Sequence, residues 1–155
     1  MADVEWLVES GTPEQTEQAG AKVATALAAG DVVFVEGELG AGKTVFVRGA
    51  CRALGVTERV TSPTYTVGHS YRSGTVPVSH LDLYRSRGLT EEEWADLEPY
   101  FTAAICFVEW PQAGEQLLPP PRLRVTIDAG PADARLIRMR TSDPMLAGAL
   151  GHPGA

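Results

Sequence analysis

The order of apolar and polar positions predicts alternating strands and helices over the first third of the chain. Residues 4–8 predict a strand, and residues 12–15 start a helix with a capping Thr, Pro at the first helical position and Gln at the capping-box position. We expect this helix to run to about Ala29. Residues 32–35 form a continuous apolar run, typical of a strand buried on both faces, and apolar side chains recur at helical spacing over residues 43–54.

The middle of the chain predicts a hairpin, a short acidic helix and a second buried strand. Residues 60–71 and 76–84 are strand-like and are joined by a short link that contains Gly74, which indicates an antiparallel hairpin. Residues 89–101 predict a helix with three consecutive glutamates. Residues 104–108 repeat the continuous apolar pattern of a buried strand.

The last third predicts two more strands and a tail. Residues 122–127 and 134–140 fit strands, which we expect to pair as an edge hairpin. Residues 142–155 combine Gly, Pro and small side chains without clear periodicity, so we expect them to be disordered. Residues 1–141 are then expected to form a single α/β domain, a layered sheet of mixed parallel and antiparallel strands with helices on both faces.

Composition and charge narrow the classes of function. The 155 residues are 44% hydrophobic and 21% charged, ordinary values for one globular domain. The net charge of −7 argues against autonomous binding of nucleic acid, because the surface as a whole repels a phosphate backbone. No apolar run approaches the roughly 20 residues that cross a membrane, and the N-terminus lacks the regions of a signal peptide. We therefore expect a cytoplasmic protein without a membrane partner.

Residues 37–44, Gly-Glu-Leu-Gly-Ala-Gly-Lys-Thr, fit the phosphate-binding loop G-x-x-x-x-G-K-[ST] at every fixed position. The loop follows a predicted strand and precedes a predicted helix, so backbone N–H groups and the helix N-terminus can meet phosphates. Lys43 should reach the β- and γ-phosphates, and the Thr44 hydroxyl is placed to ligate Mg²⁺. The sequence therefore predicts a P-loop NTPase-like domain that binds a nucleoside triphosphate.

A bound Mg²⁺ also needs a carboxylate, and two acids compete for that role. Glu109 follows four apolar residues, which places it at the C-terminal edge of a buried strand, where ligands bind in open sheets. Asp82 shares one strand face with His80 and Tyr84 by alternation. A half-exposed hairpin strand explains that alternation nearly as well, so these residues alone do not choose between the two acids.

Two further residues have weaker signals. Thr64 follows Pro63 in a loop between apolar segments, where it could sense the γ-phosphate as a switch residue does, although a turn restricted by proline is the simpler account. Trp110 offers a flat apolar face that could stack near the nucleotide, and a strand-end aromatic that covers the core explains it equally well.

Four segments in one order resemble the bacterial TsaE family, formerly YjeE: GELGAGKT at 37–44, TSPTYT at 61–66, HLDLYR at 80–85 and VEWP at 108–111. The resemblance covers roughly residues 10–125. It implies an ATPase that helps the TsaB and TsaD proteins make N6-threonylcarbamoyladenosine at position 37 of tRNAs reading codons that begin with A. tRNA is then met only indirectly, through the complex.

The resemblance also implies roles for single residues. Lys43 and Thr44 bind phosphate and Mg²⁺, and Asp82 serves as the Walker B-like acid. Glu109 is then a catalytic or metal-site acid, and which of the two acids touches Mg²⁺ directly stays open. The expected contacts of ATP are Glu38, Leu39, Gly40, Ala41, Gly42, Lys43, Thr44, Val45, Thr64 and Trp110; the expected catalytic residues are Lys43, Asp82 and Glu109; and the expected metal ligands are Thr44, Asp82 and Glu109.

The leading hypothesis is hydrolysis of ATP by in-line attack of water on the γ-phosphate. ATP is favoured over GTP because the chain lacks the N-K-x-D sequence with which small GTPases read guanine. A small-molecule kinase is one rival, although no Arg-rich lid is visible. A nucleotide-gated protein-binding module with little hydrolysis is the other.

Overall fold

The computed structural model describes residues 3–62 and 68–151, and within them seven strands form one mixed sheet with four helices around it. The strands are β1 (Val4–Ser10), β2 (Val32–Glu36), β3 (Gly68–Tyr71), β4 (Val78–Asp82), β5 (Ile105–Glu109), β6 (Leu123–Ala129) and β7 (Arg135–Thr141). The helices are α1 (Pro13–Ala24), α2 (Lys43–Ala53), α3 (Glu91–Leu97) and α4 (Pro144–Leu150). None of these helices has the length and apolar character to span a membrane.

The sheet order is β1-β7-β6-β2-β5-β4-β3. The four central strands β6, β2, β5 and β4 run parallel, and the outer pairs β6–β7, β7–β1 and β4–β3 are antiparallel. The two continuous apolar runs of the sequence form β2 and β5, which are neighbours in the middle of the sheet. The predicted α/β class with mixed strands is confirmed.

Helices cover both faces of the sheet, as predicted. Phe46 of α2 and Leu146 of α4 share one buried cluster with Val33 of β2. Leu97 of α3 and Phe34 of β2 belong to a second cluster, on the opposite face. Because successive strand residues point to opposite faces, β2 contributes to both clusters, and this is why its sequence is apolar without alternation.

Two glycines let α1 and α2 cross with their backbones in contact. A Cβ atom at Gly20 would lie 2.1 Å from the carbonyl oxygen of Phe46, and one at Gly49 would lie 2.0 Å from that of Glu17. Real Cβ atoms do not approach so closely, so no larger residue fits at either position without moving a helix. The crossing fixes α2, and with it the start of α2 at Lys43.

The first helix begins as predicted and ends early. The Thr12 hydroxyl accepts a hydrogen bond from the Gln15 N–H at 3.1 Å, so Thr12 is the predicted cap. The helix ends at Ala24 rather than near Ala29. One physical reason is that the Asp31 carboxylate accepts a hydrogen bond from the Ala28 N–H at 2.7 Å, which offers that backbone group a partner outside a helix.

Both predicted hairpins form, but the bounds of the first and the position of the second in the sheet differ from the prediction. β3 and β4 pair antiparallel, and Gly68–Tyr71 is the described part of the first predicted strand. Residues 60–62 are not in a strand, and residues 63–67 lie outside the described residues. β6 and β7 also pair antiparallel. They are not an edge hairpin, because β1 adds to β7 with Val4 opposite Thr141 and takes the edge position itself.

The prediction of a disordered tail from residue 142 is wrong over the part that the structure describes. Residues 144–150 form α4, which Asp143 caps by accepting a hydrogen bond from the Met145 N–H at 2.9 Å. Leu146 and Leu150 lie one turn apart and are buried against the sheet. Because Gly, Ala and Pro dominate this stretch, the helical spacing of the two leucines was not recognised in the sequence. Residues 152–155 lie outside the described residues.

Candidate active site

The candidate site lies where the parallel strands β2, β5 and β4 end. The chain leaves β2 at Glu36 and enters α2 at Lys43, so the phosphate-binding loop sits at this edge of the sheet. Gly40 and Gly42 have φ of 77° and 106°, values that favour glycine. At Gly37 a Cβ atom would lie 2.4 Å from the carbonyl oxygen of Ile127. The loop therefore needs its glycines for its turns and for its close passage along β6.

Lys43 points back into the loop. Its side chain is buried, and its Nζ donates hydrogen bonds to the carbonyl oxygens of Gly37 at 2.7 Å and Glu38 at 2.8 Å. The ammonium also lies 4.6 Å from the centre of the Trp110 ring. Burial lowers the pKa of Lys43 from its ordinary value, and nearby carboxylates, led by Glu109, act in the opposite direction. A buried cation that donates to carbonyl oxygens and lies over a ring is well suited to meet phosphate charge.

Glu109, at the end of β5, is held on two sides. Its Oε2 accepts a hydrogen bond from the Thr44 hydroxyl at 3.1 Å and lies 2.5 Å from Nε2 of His80. Glu109 and His80 are 2% and 0% exposed. A buried carboxylate is costly unless its oxygens have such partners. The other ring nitrogen of His80, Nδ1, is buried and has no hydrogen-bond partner in the described part of the chain.

Asp82 ends the neighbouring strand, directly opposite Glu109 in the register of β4 and β5. It is half-buried, and its Oδ2 accepts a hydrogen bond from the Ser62 hydroxyl at 2.7 Å. Its Oδ1 accepts one from the Tyr84 N–H at 2.9 Å. Asp82 therefore contacts the segment that leads into residues 63–67, whereas Glu109 contacts the first turn of α2. Thr64, the expected switch residue, lies outside the described residues.

Trp110 closes one side of the site. Its backbone adopts the left-handed conformation, with φ 56° and ψ 51°, which is uncommon for a bulky residue. The ring packs against Tyr84 with centroids 4.9 Å apart, and Lys43 lies over it. Such a costly backbone conformation persists only where the surroundings hold it, and such positions cluster at functional sites.

The structure brings together most of the residues expected from sequence. Lys43, Thr44, Glu109 and Trp110 are linked through the contacts above, and Asp82 lies beside Glu109. The remaining loop positions, at 38–42, precede Lys43 in the chain, and Leu39 among them is 64% exposed. Sequence reasoning missed the contact of His80 with Glu109, although alternation placed His80 on the face of Asp82. It also missed Arg135, whose side chain bonds to the loop from the distant β7.

Comparisons with known proteins agree on one family. The sequence model of TsaE, described as threonylcarbamoyl adenosine biosynthesis protein TsaE, matches residues 10–137. The tRNA threonylcarbamoyladenosine biosynthesis protein TsaE of Bacillus subtilis is 38% identical over 138 residues, which cover 88% of this chain and 85% of that protein. The protein of the same name from Streptomyces coelicolor is 41% identical over 117 residues, covering 74% and 79%. The crystal structure of YdiB from Bacillus subtilis superposes with a TM-score of 0.82 at 31% identity, covering 97% of this chain and 96% of that one.

Proposed function

The chain belongs to the TsaE family of tRNA threonylcarbamoyladenosine biosynthesis, and from its site we propose that it is a Mg²⁺-dependent ATP hydrolase supporting that modification. The observation that carries the proposal is the convergence of Lys43, Thr44 and Glu109 at the phosphate-binding loop. We further propose TsaB and TsaD as its partners and tRNAs reading codons that begin with A as the final substrate. These last assignments rest on the family resemblance of the four sequence segments.

The residues present fit ATP and Mg²⁺. The buried ammonium of Lys43 is bonded to two loop carbonyl oxygens, which phosphate oxygens can replace without leaving the cation unpaired. Thr44 and Glu109 offer adjacent hydroxyl and carboxylate oxygens, the hard ligands that Mg²⁺ prefers. When bound, Mg²⁺ neutralises charge on the phosphates and orients them for attack by water.

The two acids have different parts in this proposal. Glu109 shares a hydrogen bond with Thr44 at the loop, so we assign it to the metal side of the site. The Asp82 carboxylate accepts a hydrogen bond from Ser62 rather than from Thr44, so we assign Asp82 to the orientation of the attacking water. Lys43 stabilises the charge that develops on the phosphoryl group. The family resemblance left open which of the two acids touches Mg²⁺ directly, and this proposal gives that contact to Glu109.

The proposal is tested by phosphate release from Mg-ATP, with the purified chain alone and with TsaB, TsaD and tRNA added. A slow rate that rises when the complete set is present is the expected result. A rate that stays negligible while Mg-ATP binds would point instead to a nucleotide-gated binding module. Turnover that requires a small-molecule acceptor would point to a kinase.

A further inference from the structure

Arg135 joins the phosphate-binding loop to the hairpin of β6 and β7. Its Nε donates a hydrogen bond to the carbonyl oxygen of Ala41 at 2.7 Å, and its Nη2 donates one to that of Gly40 at 3.2 Å. On the hairpin side, its Nη1 donates to the carbonyl oxygens of Ala132 at 3.1 Å and Ala134 at 2.8 Å. One side chain therefore holds two carbonyl oxygens of the loop and two of the hairpin.

The guanidinium of Arg135 is used differently from those of its neighbours. Arg122 and Arg124 each form ion pairs with two acids. Over residues 3–62 and 68–151, Arg135 forms no ion pair with an acid, and its side chain donates hydrogen bonds to backbone carbonyl oxygens. Its positive charge is thus directed to the peptide groups of the loop rather than neutralised by a carboxylate.

These bonds set the orientation of the peptide groups in the loop. In a planar trans peptide the C=O of one residue and the N–H of the next point in opposite directions. Holding the carbonyl oxygens of Gly40 and Ala41 therefore also fixes the directions of the N–H groups of Ala41 and Gly42. The Ala41 N–H donates to the carbonyl oxygen of Glu38 at 3.1 Å within the loop. A loop that binds phosphate through its N–H groups loses less entropy on binding when their directions are already set.

We propose that Arg135 is a positioning residue that presets the phosphate-binding loop for the nucleotide. The inference rests on the proposed function, in which this loop binds Mg-ATP. According to this inference, the β6–β7 hairpin affects nucleotide affinity through the contact of Arg135 with the loop. The effect requires the several N–H donors of a guanidinium, since a single donor cannot reach all four carbonyl oxygens.

The test compares Arg135→Lys and Arg135→Gln with Arg138→Gln as matched control. Arg138 belongs to the same strand and is exposed, and its ion partner is Asp128 at 3.9 Å. Calorimetric titration of each full chain with Mg-ATP should give a dissociation constant raised about tenfold in both Arg135 variants, since loss of one charge-assisted hydrogen bond has about that effect. Arg138→Gln should bind as the wild type does.

Hydrogen exchange of the loop amides gives a second readout that a merely structural role would not move. In Arg135→Lys we expect faster exchange at residues 40–42, with unchanged exchange in the central strands. Wild-type affinity or wild-type loop exchange in Arg135→Lys would overturn the inference, as would a lower unfolding temperature with unchanged affinity. Failure of the wild type to bind Mg-ATP would overturn the proposed function instead, and the exchange comparison would still decide whether Arg135 orders the loop.

Discussion

The ends of β4 and β5 carry two acids in register, and the two strand ends differ in their surroundings. Glu109 is almost wholly buried and is held by Thr44 and His80, whereas Asp82 is half-buried and is held by Ser62 and a backbone N–H. The two acids end neighbouring strands, yet Glu109 is bonded to a helix and a strand, whereas Asp82 is bonded to a loop. Strand ends therefore bring acids together at one edge of the sheet, while the neighbouring side chains give each acid different hydrogen-bond partners.

The largest effect on nucleotide handling is expected for Lys43→Ala, because Lys43 lies near both acids and its loss removes the positive charge they share. Turnover should fall on the order of 10²–10³-fold, the usual cost of removing a charged group that stabilises the transition state. The measurement is phosphate release in the presence of the partner proteins. Lys22→Ala, which removes an exposed lysine of α1, is the control and should turn over normally. Near-normal activity of Lys43→Ala would refute the site.

His80→Leu removes a partner of Glu109 and leaves the surroundings of Asp82 in place. The Glu109 carboxylate loses its contact with the His80 ring. We expect turnover to fall about tenfold, as is common when a partner of a metal-ligating carboxylate, the role proposed for Glu109, is removed. The free energy of unfolding should fall by about 1–3 kcal/mol, because the buried oxygen is left with one bond fewer. Urea unfolding and phosphate release measure the two effects. His69→Leu is the control: His69 is half-buried on β3, opposite His80 in the register, and within the described residues no hydrogen bond joins it to Glu109.

Ser62→Ala removes a partner of Asp82 and leaves the surroundings of Glu109 in place. One hydrogen bond to the carboxylate is lost, so turnover should fall about fivefold. The decisive measurement is the turnover of the double variant that combines Ser62→Ala with Asp82→Asn. If the two residues act together, the double variant should be no slower than Asp82→Asn alone. Additive losses would show that Ser62 acts independently of Asp82.

Leu146→Ala should leave the strand ends unchanged while weakening the fold. Leu146 is fully buried in the cluster under α4, so its truncation should lower the free energy of unfolding by about 2–5 kcal/mol. Met145→Ala, at a neighbouring position that is 79% exposed, should change it by less than about 0.5 kcal/mol. Both variants should bind Mg-ATP as the wild type does below their unfolding temperatures. Weaker binding by Leu146→Ala would show that α4 influences the site.

Local signals predicted the centre of the fold and most of the site. The apolar run of β2, the glycine loop and the amphipathic α2 are adjacent in sequence, so their order could be predicted without knowing the rest. The position of Glu109 followed from the same logic, because an acid after a buried strand lies at the edge of the sheet. For Asp82, the alternation along β4 predicted which face of the strand its side chain shares. Its position beside Glu109 became known only from the register of β4 with β5.

Features that depend on distant partners were not predictable from local patterns. β1 pairs with β7 across more than a hundred residues, and no local signal shows that it covers that edge. α4 is held by Leu146 and Leu150 in a stretch dominated by small residues, where the composition suggested a tail. Arg135 reaches the loop through contacts 94 and 95 residues apart. For α4 the long-range contacts outweighed the local propensity, whereas for β1 and Arg135 they decided pairings that no local pattern contains.

The most direct test of the account is a Mg²⁺ titration of ATP binding by Glu109→Gln and Asp82→Asn, measured side by side with the wild type. If Glu109 lies on the metal side, Glu109→Gln should raise the Mg²⁺ concentration for half-maximal binding about tenfold or more, and Asp82→Asn should raise it less than about threefold. The opposite order, or equal shifts in the two variants, would contradict the assignment of Glu109 to the metal.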